Sequence, residues 1–529
     1  MALITGTSGN DELNGTLGND IIKGLAGSDM IYGDNGDDDI TGGQGDDTLE
    51  GGNGADVFRY ATGDGNDIIT DYGEPNSGSD RLIITDPSMT SVNVIVTNNG
   101  GKFPPADFLL TFHGAVGSIR LYSQLYGYYG IDQVTFGDDV TWDEIVLQNA
   151  YLRQAATDGN DTIYGFNTND TLAGGLGNDV LYGGDGGDVY LYARGDGNDF
   201  ISDIVGNLEA GDDRLILSGE GLTSQNLVIQ RAEYNVDNVQ LTFKGIDGVI
   251  TLADQAVTDG VGIEKVRFSD GVVFDRLKLQ RFYLERSATK DSDEIYGFYT
   301  DDLMRGAGGN DVLFGERGSD TYIYNKGDGN DTIIDRSDLN GEIDRLVISS
   351  SAGLTSAKAR VKRTDGSDEL ELSFTGTKGK FVLYGQGFTE EDTYQKNLGL
   401  EEVKFSDGVI WNRKTIQTTY LQQAGTSGND NIIGFSSADL IVGGLGDDTL
   451  AGGQGADTFR YAMGDGRDRI TDFQHGVDTL QLIASSHSYQ LVDLLATSQV
   501  LVDFGSGQGI LVDNISKTQL ASDIVLTTV

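Results

Sequence analysis

Leu13, Ile22, Ile31, Ile40, Leu49 and Phe58 stand nine residues apart, with glycines and polar residues between them. A helix cannot gather such positions on one face, and glycine at this density would weaken it by about 1 kcal/mol each. A strand of about three residues followed by a turn of about six does fit. The middle strand residue points inward and its two neighbours point outward. Glycine in the turn permits positive φ and close approach of stacked backbones. Successive units then stack into a solenoid.

An aspartate keeps the same phase. Asp11, Asp20, Asp29, Asp38, Asp47 and Asp56 are nine apart, each two residues before the apolar position. Three further blocks repeat the pattern: Asp161, Asp170, Asp179 and Asp188; Asp293, Asp302, Asp311 and Asp320; Asp430, Asp439, Asp448 and Asp457. Every block ends on one departure. Asp67, Asp199, Asp331 and Asp468 follow after eleven residues, in a widened last turn, and the next strand ends in Asp71, Asp203, Asp335 or Asp472. In blocks two to four, Thr168, Thr300 or Ser437 replaces the glycine before the second Asp, and Phe166, Phe298 or Phe435 stands nearby. Lys290 and Asp291 replace small residues in the first turn of block three. These early turns are expected to bind ions weakly or not at all.

Between blocks the pattern changes to strands. "DRLIIT" (80–85), "DRLILS" (213–218), "DRLVIS" (344–349) and "DTLQLI" (478–483) open these stretches, and alternating runs such as 238–245 and 369–376 suit a half-buried sheet. The first three stretches close alike at 131–148, 263–280 and 400–417, as a strand, a hairpin turn, an aromatic and a short helix. Trp142, Phe274 and Trp411 mark this signature, each between apolar neighbours as core residues are. The predicted fold is all-β: four parallel β-rolls, at 6–73, 157–205, 289–337 and 425–474, each followed by a β-rich cap that covers its open sheet ends. The modules divide as 1–150, 151–282, 283–419 and 420–529.

The turns carry the candidate chemistry. Stacked strands lie about 4.8 Å apart, so carboxylates of successive coils repel one another. A hard cation relieves this, because calcium accepts carboxylate and carbonyl oxygens together. A single Gly-Asp turn is only a tight loop, but eighteen phased copies are not.

The pattern Gly-Gly-x-Gly-x-Asp-x-apolar-x, as in 42–50 and 51–59, resembles the haemolysin-type (RTX) nonapeptide repeat. The resemblance implies a calcium-binding parallel β-roll in which each Asp supplies a carboxylate and each ion lies between turns two units apart. Asp11 would then share an ion with Asp29, Asp29 with Asp47, and Asp20 with Asp38. Full occupancy implies about five ions in the first block and about three in each other block, roughly 14 in all. The caps resemble the domain related to haemolysin-type calcium-binding proteins. The stretch 501–529, acidic and then apolar and Thr-rich, resembles the uncleaved signal of type I secretion, and a final strand pair is compatible with that.

Composition narrows the function. The chain of 529 residues carries 36 Lys and Arg against 83 Asp and Glu, a net charge of −47. Such a surface repels nucleic acid and anionic membranes. There is no cysteine, so calcium rather than disulfides is expected to cross-link the fold. No apolar run reaches the length of a transmembrane helix. The absence of an apolar leader agrees with type I export by the type I secretion machinery and a secreted or cell-surface location. Catalytic signals are thin. His113, His475 and His487 form no zinc pair, and there is no Gly-x-Ser-x-Gly elbow, so the repeat-bearing metalloproteases and lipases do not fit. Alginate epimerases carry similar modules, but no region is left for their catalytic domain, and the pore-forming part of repeat-bearing cytolysins is missing. The expected function is a secreted calcium-binding structural, adhesive or surface-matrix protein, not an enzyme, that folds on binding calcium. The alternative is a carbohydrate-active enzyme or glycan-binding module that meets extracellular polysaccharide or cell-surface glycan through a cap, with the tyrosines of 120–132 as its best candidate surface.

Overall fold

The computed structural model describes residues 1–72, 78–98, 107–122, 130–203, 211–235, 237–256, 262–336, 341–364, 369–386, 399–483, 489–494 and 498–527. His487 and residues 123–129 of the tyrosine cluster lie outside them. The chain forms two compact units, Met1–Leu279 and Gln280–Val529.

In the first unit, successive nonapeptides send strands alternately to two facing sheets. Leu3–Thr5, Ile21–Ala26, Asp39–Gln44 and Val57–Tyr60 run parallel in one sheet; Glu12–Asn14, Met30–Asn35, Thr48–Asn53 and Asn66–Thr70 run parallel in the other. The register is eighteen residues, two repeats per coil: Ile22 pairs with Ile40 and Ile40 with Phe58, while Ile31 pairs with Leu49. Ile22, Ile31, Ile40, Leu49 and Phe58 therefore fill the space between the sheets and are buried.

Four strands of this block are six residues long, not the expected three. Their pairing continues into the turns, where Leu25 opposes Gly43 and Asp34 opposes Gly52. Leu25 and Asp34 take positive φ of 85° and 71°, the conformation of the glycines they face, so the stacked turns have one shape. Three-residue strands do recur in the second block, as in Thr162–Tyr164 and Val180–Tyr182.

The caps are extensions of the roll sheets rather than separate layers. Ser118–Leu121 pairs parallel with Asn66–Thr70 and leads antiparallel into Phe108–Phe112 and Val94–Asn98. In the facing sheet, Arg81–Ile84 continues from Val57–Tyr60 and carries the hairpin Gln133–Thr135, Thr141–Asp143. Helix α1 (Glu144–Ala155) follows, with Asp143 accepting the N–H of Val146 as its N-cap. The second block and its extension repeat this plan in sheets of six and five strands, ending at the hairpin Lys265–Arg267, Val273–Asp275.

Phe166 has a structural role. It is buried, and its ring lies 5.9 Å from Tyr151 of α1 and 5.8 Å from Phe108. The first coil of the second block thus packs on the helix before it. Trp142 meets the ring of Phe136 edge-on at 4.7 Å, and Phe274 meets Phe268 at 4.9 Å, so both are packing residues.

The second unit carries two more such pairs of sheets, of six and five strands and of six and four. Phe298 packs on Tyr283 of helix α2 (Arg276–Ser287) at 5.7 Å, and Phe435 on Tyr420 of helix α3 (Arg413–Ala424) at 5.7 Å. Trp411 meets Phe405 at 4.6 Å. The last sheet pair closes differently. After the hairpin Gln499–Gly505, Gln508–Asp513 comes helix α4 (Lys517–Asp523), and Ile524–Thr527 joins Thr479–Ile483 as a parallel edge strand. Among the described residues no helix is long and apolar enough to cross a membrane.

Candidate metal centres in the turns

Each phased Asp follows a turn and opens the next strand, which places its carboxylate at the rim between stacked coils. One oxygen has the same task throughout. Asp29 Oδ1 accepts the N–H of Asp11, Asp47 Oδ1 that of Asp29, and Asp67 Oδ1 that of Asp47. On the other rim Asp38, Asp56 and Asp80 accept from Asp20, Asp38 and Asp56. The second block runs 161–179–199 and 170–188–213, the third 293–311–331 and 302–320–344, and the fourth 430–448–468 and 439–457–478. Two carboxylate ladders therefore flank every block.

The second oxygen divides the residues into two classes. In the opening turns it is already satisfied. Asp11 Oδ2 accepts the N–H and hydroxyl of Thr7, and Asp20, Asp161, Asp293 and Asp430 are held likewise by Thr16, Thr157, Thr289 and Thr426. Asp170, Asp302 and Asp439 accept the N–H groups of Phe166, Phe298 and Phe435. Further along, the Oδ2 atoms of Asp29, Asp38, Asp47, Asp56, Asp179, Asp188, Asp311, Asp320, Asp448 and Asp457 are buried without a hydrogen-bond donor.

Several of these oxygens face other oxygens. Asp29 Oδ2 lies over the Cα of Gly24 beside the carbonyl oxygen of Gly42, so that a Cβ on Gly24 would collide with both. Asp38 Oδ2 and the Gly51 carbonyl meet in the same way over Gly33. Such a pocket of bare oxygens, with no donor and too close for a side chain, is the environment of a hard cation.

The electrostatics follow burial more than this division, since burial pushes even Asp170, whose carboxylate accepts the N–H of Phe166, up to about 6. The N–H of Ala2 and the hydroxyl of Thr16 hold Asp20 below the usual carboxylate range. Burial, reinforced by the neighbouring carboxylates, pushes Asp38 and Asp47 up to about 6 and Asp56, Asp188 and Asp457 up to about 7. The widened turn carries its own closure. Asp64 accepts the N–H of Ala61 and Tyr60 donates to the Gly65 carbonyl, and Asp196 with Tyr192 and Asp328 with Tyr324 repeat the arrangement. Burial pushes Asp67 up to about 8, Asp199 to about 6, and Asp331 and Asp468 to about 7.

Sequence periodicity missed the far ends of the ladders. Asp80, Asp213, Asp344 and Asp478 continue them beyond the nonapeptides. Asp132, Glu264 and Glu401 add one more step by accepting the N–H groups of Asp80, Asp213 and Asp344. The signal was present, since each of these acids stands two residues before a buried apolar residue, as in Asp80-Arg81-Leu82 and Glu264-Lys265-Val266. Only the spacing of nine had lapsed. Of the histidines, His475 Nδ1 lies 2.7 Å from Asp523 Oδ2.

A family model, the RTX calcium-binding nonapeptide repeat, matches residues 5–40, 32–69, 155–181, 164–201, 296–333 and 424–459. Among solved structures, the chain is similar over 22% of its length to the AlgE6R3 subunit of the Azotobacter vinelandii mannuronan C5-epimerase, at 28% identity and a TM-score of 0.18, covering 71% of that chain. It is also similar to the extracellular lipase LipA of Serratia marcescens, at 14% identity and a TM-score of 0.15, over 70% of its own length and 39% of the lipase. No curated protein matches the chain.

Proposed function

Because the chain carries RTX calcium-binding nonapeptide repeats in all four blocks, we propose that it is a secreted structural or adhesive protein whose rolls are completed by calcium. The observation that carries this reading is the set of ten buried Asp oxygens without a donor, of which those of Asp29 and Asp38 meet a carbonyl oxygen over a glycine. Bound there, calcium supplies the positive charge that the turns lack and accepts oxygens of both kinds. The chain's own groups do the rest. The Oδ1 atoms fix the spacing of successive coils, and the glycines keep the space open. The eight opening-turn aspartates act as caps, closed by threonine or by the backbone of the phenylalanine turn. On this reading the ions number about ten rather than fourteen, four in the first block and two in each other.

A ligand that binds only the coiled state shifts folding by mass action. Extracellular-type sites have dissociation constants of about 10⁻⁴ to 10⁻³ M, so cytosolic calcium leaves them empty and the like-charged turns oppose coiling. That suits export of an extended chain and assembly outside the cell. Hydrogen exchange of the full chain in chelator and in millimolar calcium tests the reading. The expected result is protection of strands such as Met30–Asn35 and Thr48–Asn53 in calcium only, with magnesium a poor substitute because it demands a tighter octahedron of oxygens. Equal protection in chelator would make the rolls a constitutive scaffold and refute it.

A further inference from the structure

Where each roll passes into its sheet extension, two acids outside the nonapeptide phase join the last phased Asp. Asp188, Asp203 and Asp213 each place a carboxylate oxygen within 4.8 Å of the others, and Asp320, Asp335 and Asp344 do the same. All six are at least 98% buried. Asp188 and Asp213 precede strands of one sheet, Val189–Ala193 and Arg214–Ser218, whereas Asp203 follows Asn198–Ser202 of the facing sheet. Each cluster thus straddles the sandwich.

The second observation concerns the orientation of these groups. Tyr190 donates to Asp203 Oδ2 at 3.0 Å and Tyr322 to Asp335 Oδ2 at 2.6 Å. The opposite oxygens, Asp203 Oδ1 and Asp335 Oδ1, are buried with no hydrogen-bond partner, as are Asp188 Oδ2, Asp320 Oδ2 and Asp344 Oδ2. The tyrosine hydroxyl, the phased Asp and the off-phase Asp converge over one glycine, Gly183 or Gly315, within 3.1 Å of where its Cβ would stand. Among the described residues, no Lys or Arg forms an ion pair with any of the six. Three ionised carboxylates cannot be buried together uncompensated.

Phenylalanine replaces this tyrosine in the first and fourth blocks, and there the off-phase carboxylate turns to the backbone. Gly52 N–H donates to Asp71 Oδ1, and the N–H groups of Gly452 and Gly453 donate to Asp472. The first block nonetheless brings carboxylate oxygens of Asp56, Asp71 and Asp80 within 4.8 Å of one another, so the tyrosine marks how the off-phase carboxylate is held and not whether a triad forms.

We propose that the triads Asp188–Asp203–Asp213 and Asp320–Asp335–Asp344 are two junction sites for a calcium-sized divalent cation, each built on the last bare repeat oxygen of its block and completed by acids outside the repeats, that staple the two sheets together where roll becomes cap. All donors are oxygens, which selects a hard cation, and mutual separations up to 4.8 Å fit metal–oxygen bonds of about 2.3–2.6 Å. Affinity rises with the number of charged ligands, and each triad offers three where a repeat turn offers one bare carboxylate oxygen against carbonyls. The junction sites consequently fill at lower free calcium than the turns, and each roll is anchored at its far end before its middle coils. The inference rests on the same ion chemistry as the calcium reading, and it adds Asp203, Asp213, Asp335 and Asp344, none of which belongs to a nonapeptide.

Two measurements on the full chain test it. Crystals grown with calcium or terbium are expected to show anomalous peaks within bonding distance of Asp203 Oδ1 and Asp335 Oδ1. Peaks in the repeat turns with none at the triads overturn this inference alone, and peaks at neither overturn the calcium reading too. In solution, the double variant Asp203→Asn/Asp335→Asn keeps side-chain volume and the tyrosine's acceptor but removes one charge per triad. The ions retained after dialysis to low micromolar free calcium should fall by two, while the turns still fill in millimolar calcium. Retention of the same tight ions overturns the proposal, as does finding that a proton shared between Asp203 and Asp213 neutralises the cluster in saturating calcium. If the double variant does not fold, the wild-type anomalous map decides.

Discussion

Replacing Asp47 by Asn should stabilise the first roll in chelator and destabilise it in calcium. Asp47 Oδ1 accepts the N–H of Asp29 at 2.8 Å, and Oδ2 is buried and bare. Asparagine keeps the first contact and removes the charge. Without calcium, burial pushes Asp47 up to about 6, with the charges of Asp29, Asp64 and Asp46 acting in the same direction. Holding such a group ionised near neutral pH costs up to about 3 kcal/mol, which solvent screening reduces to about 1 kcal/mol. Asp47→Asn relieves that cost, so protection of neighbouring amides should rise several-fold. In millimolar calcium the same change deletes a charged ligand, and a loss of tenfold in affinity corresponds to about 1.4 kcal/mol in the opposite direction. Asp47→Ala is the control. It leaves the buried Asp29 N–H without an acceptor, which costs about 1–3 kcal/mol, so it should destabilise in both conditions. Hydrogen exchange of Ile21–Ala26 and Asp39–Gln44 reads these changes locally, which matters in a chain of many coils where no single unfolding free energy is defined. An effect of Asp47→Asn with the same sign in chelator and calcium would refute the account of the bare oxygen.

Three further outcomes are expected. Asp11→Asn should leave the calcium stoichiometry of the full chain unchanged, whereas Asp29→Asn should lower it, as isothermal titration would show; equal losses would place an ion at the threonine-capped turn. Because burial holds Asp38, Asp47, Asp56 and Asp188 above the usual carboxylate range, the calcium-free rolls gain stability that is complete below about pH 4 and is lost as pH rises through about 6 to 7. Circular dichroism in chelator should therefore show β signal in acid that fades toward neutrality, and in calcium the acid side should be the weaker one. Phe435→Ala should cost about 3–5 kcal/mol at the start of the fourth block by removing its packing on Tyr420, seen as faster exchange in Asn431–Ile433 and Leu440–Val442 with little change at Thr479–Ile483.

The roll was legible because its period is a covalent fact: apolar residues nine apart force two repeats per coil, and Ile22 stacks on Ile40 as that spacing requires. The hairpin and helix that close the first three caps were legible too, from 131–148 and its counterparts. What periodicity could not separate was the state of each carboxylate. Asp11 and Asp29 occupy the same phase, yet Thr7, four residues before Asp11, satisfies the first. The residue four before Asp29 is Leu25, which has no hydroxyl to donate. At the threonine turns the difference between a cap and a bare oxygen therefore sits in a hydroxyl at the turn's first position, whereas Asp170, Asp302 and Asp439 are closed by the backbone N–H of the phenylalanine there. The extension of the ladders to Asp80 and Asp132 was hidden for a different reason. Their spacing is set by which strands become neighbours in the sheet, and only the tertiary pairing of Arg81–Ile84 with Val57–Tyr60 and Gln133–Thr135 shows it.

These two classes of turn give each block a direction, and the direction predicts an order of assembly. Blocks two to four open on turns whose carboxylates are satisfied without an ion and whose phenylalanine is buried, as in Phe166 against Tyr151. Each of these blocks has only two bare repeat oxygens to neutralise. The first block opens on turns closed by Thr7 and Thr16 and then carries four bare oxygens, at Asp29, Asp38, Asp47 and Asp56. In a stacked array each ordered coil is the template for the next, so steepness grows with the number of coupled ions. The first block should consequently coil at the highest calcium concentration and with the steepest dependence, while the others follow shallower curves at lower concentration. Hydrogen exchange resolved by block across a calcium titration measures this directly. A first block that becomes protected before Val180–Tyr182 and Val312–Phe314 would show that packing on the adjoining helix, and not the count of bare carboxylates, sets the order.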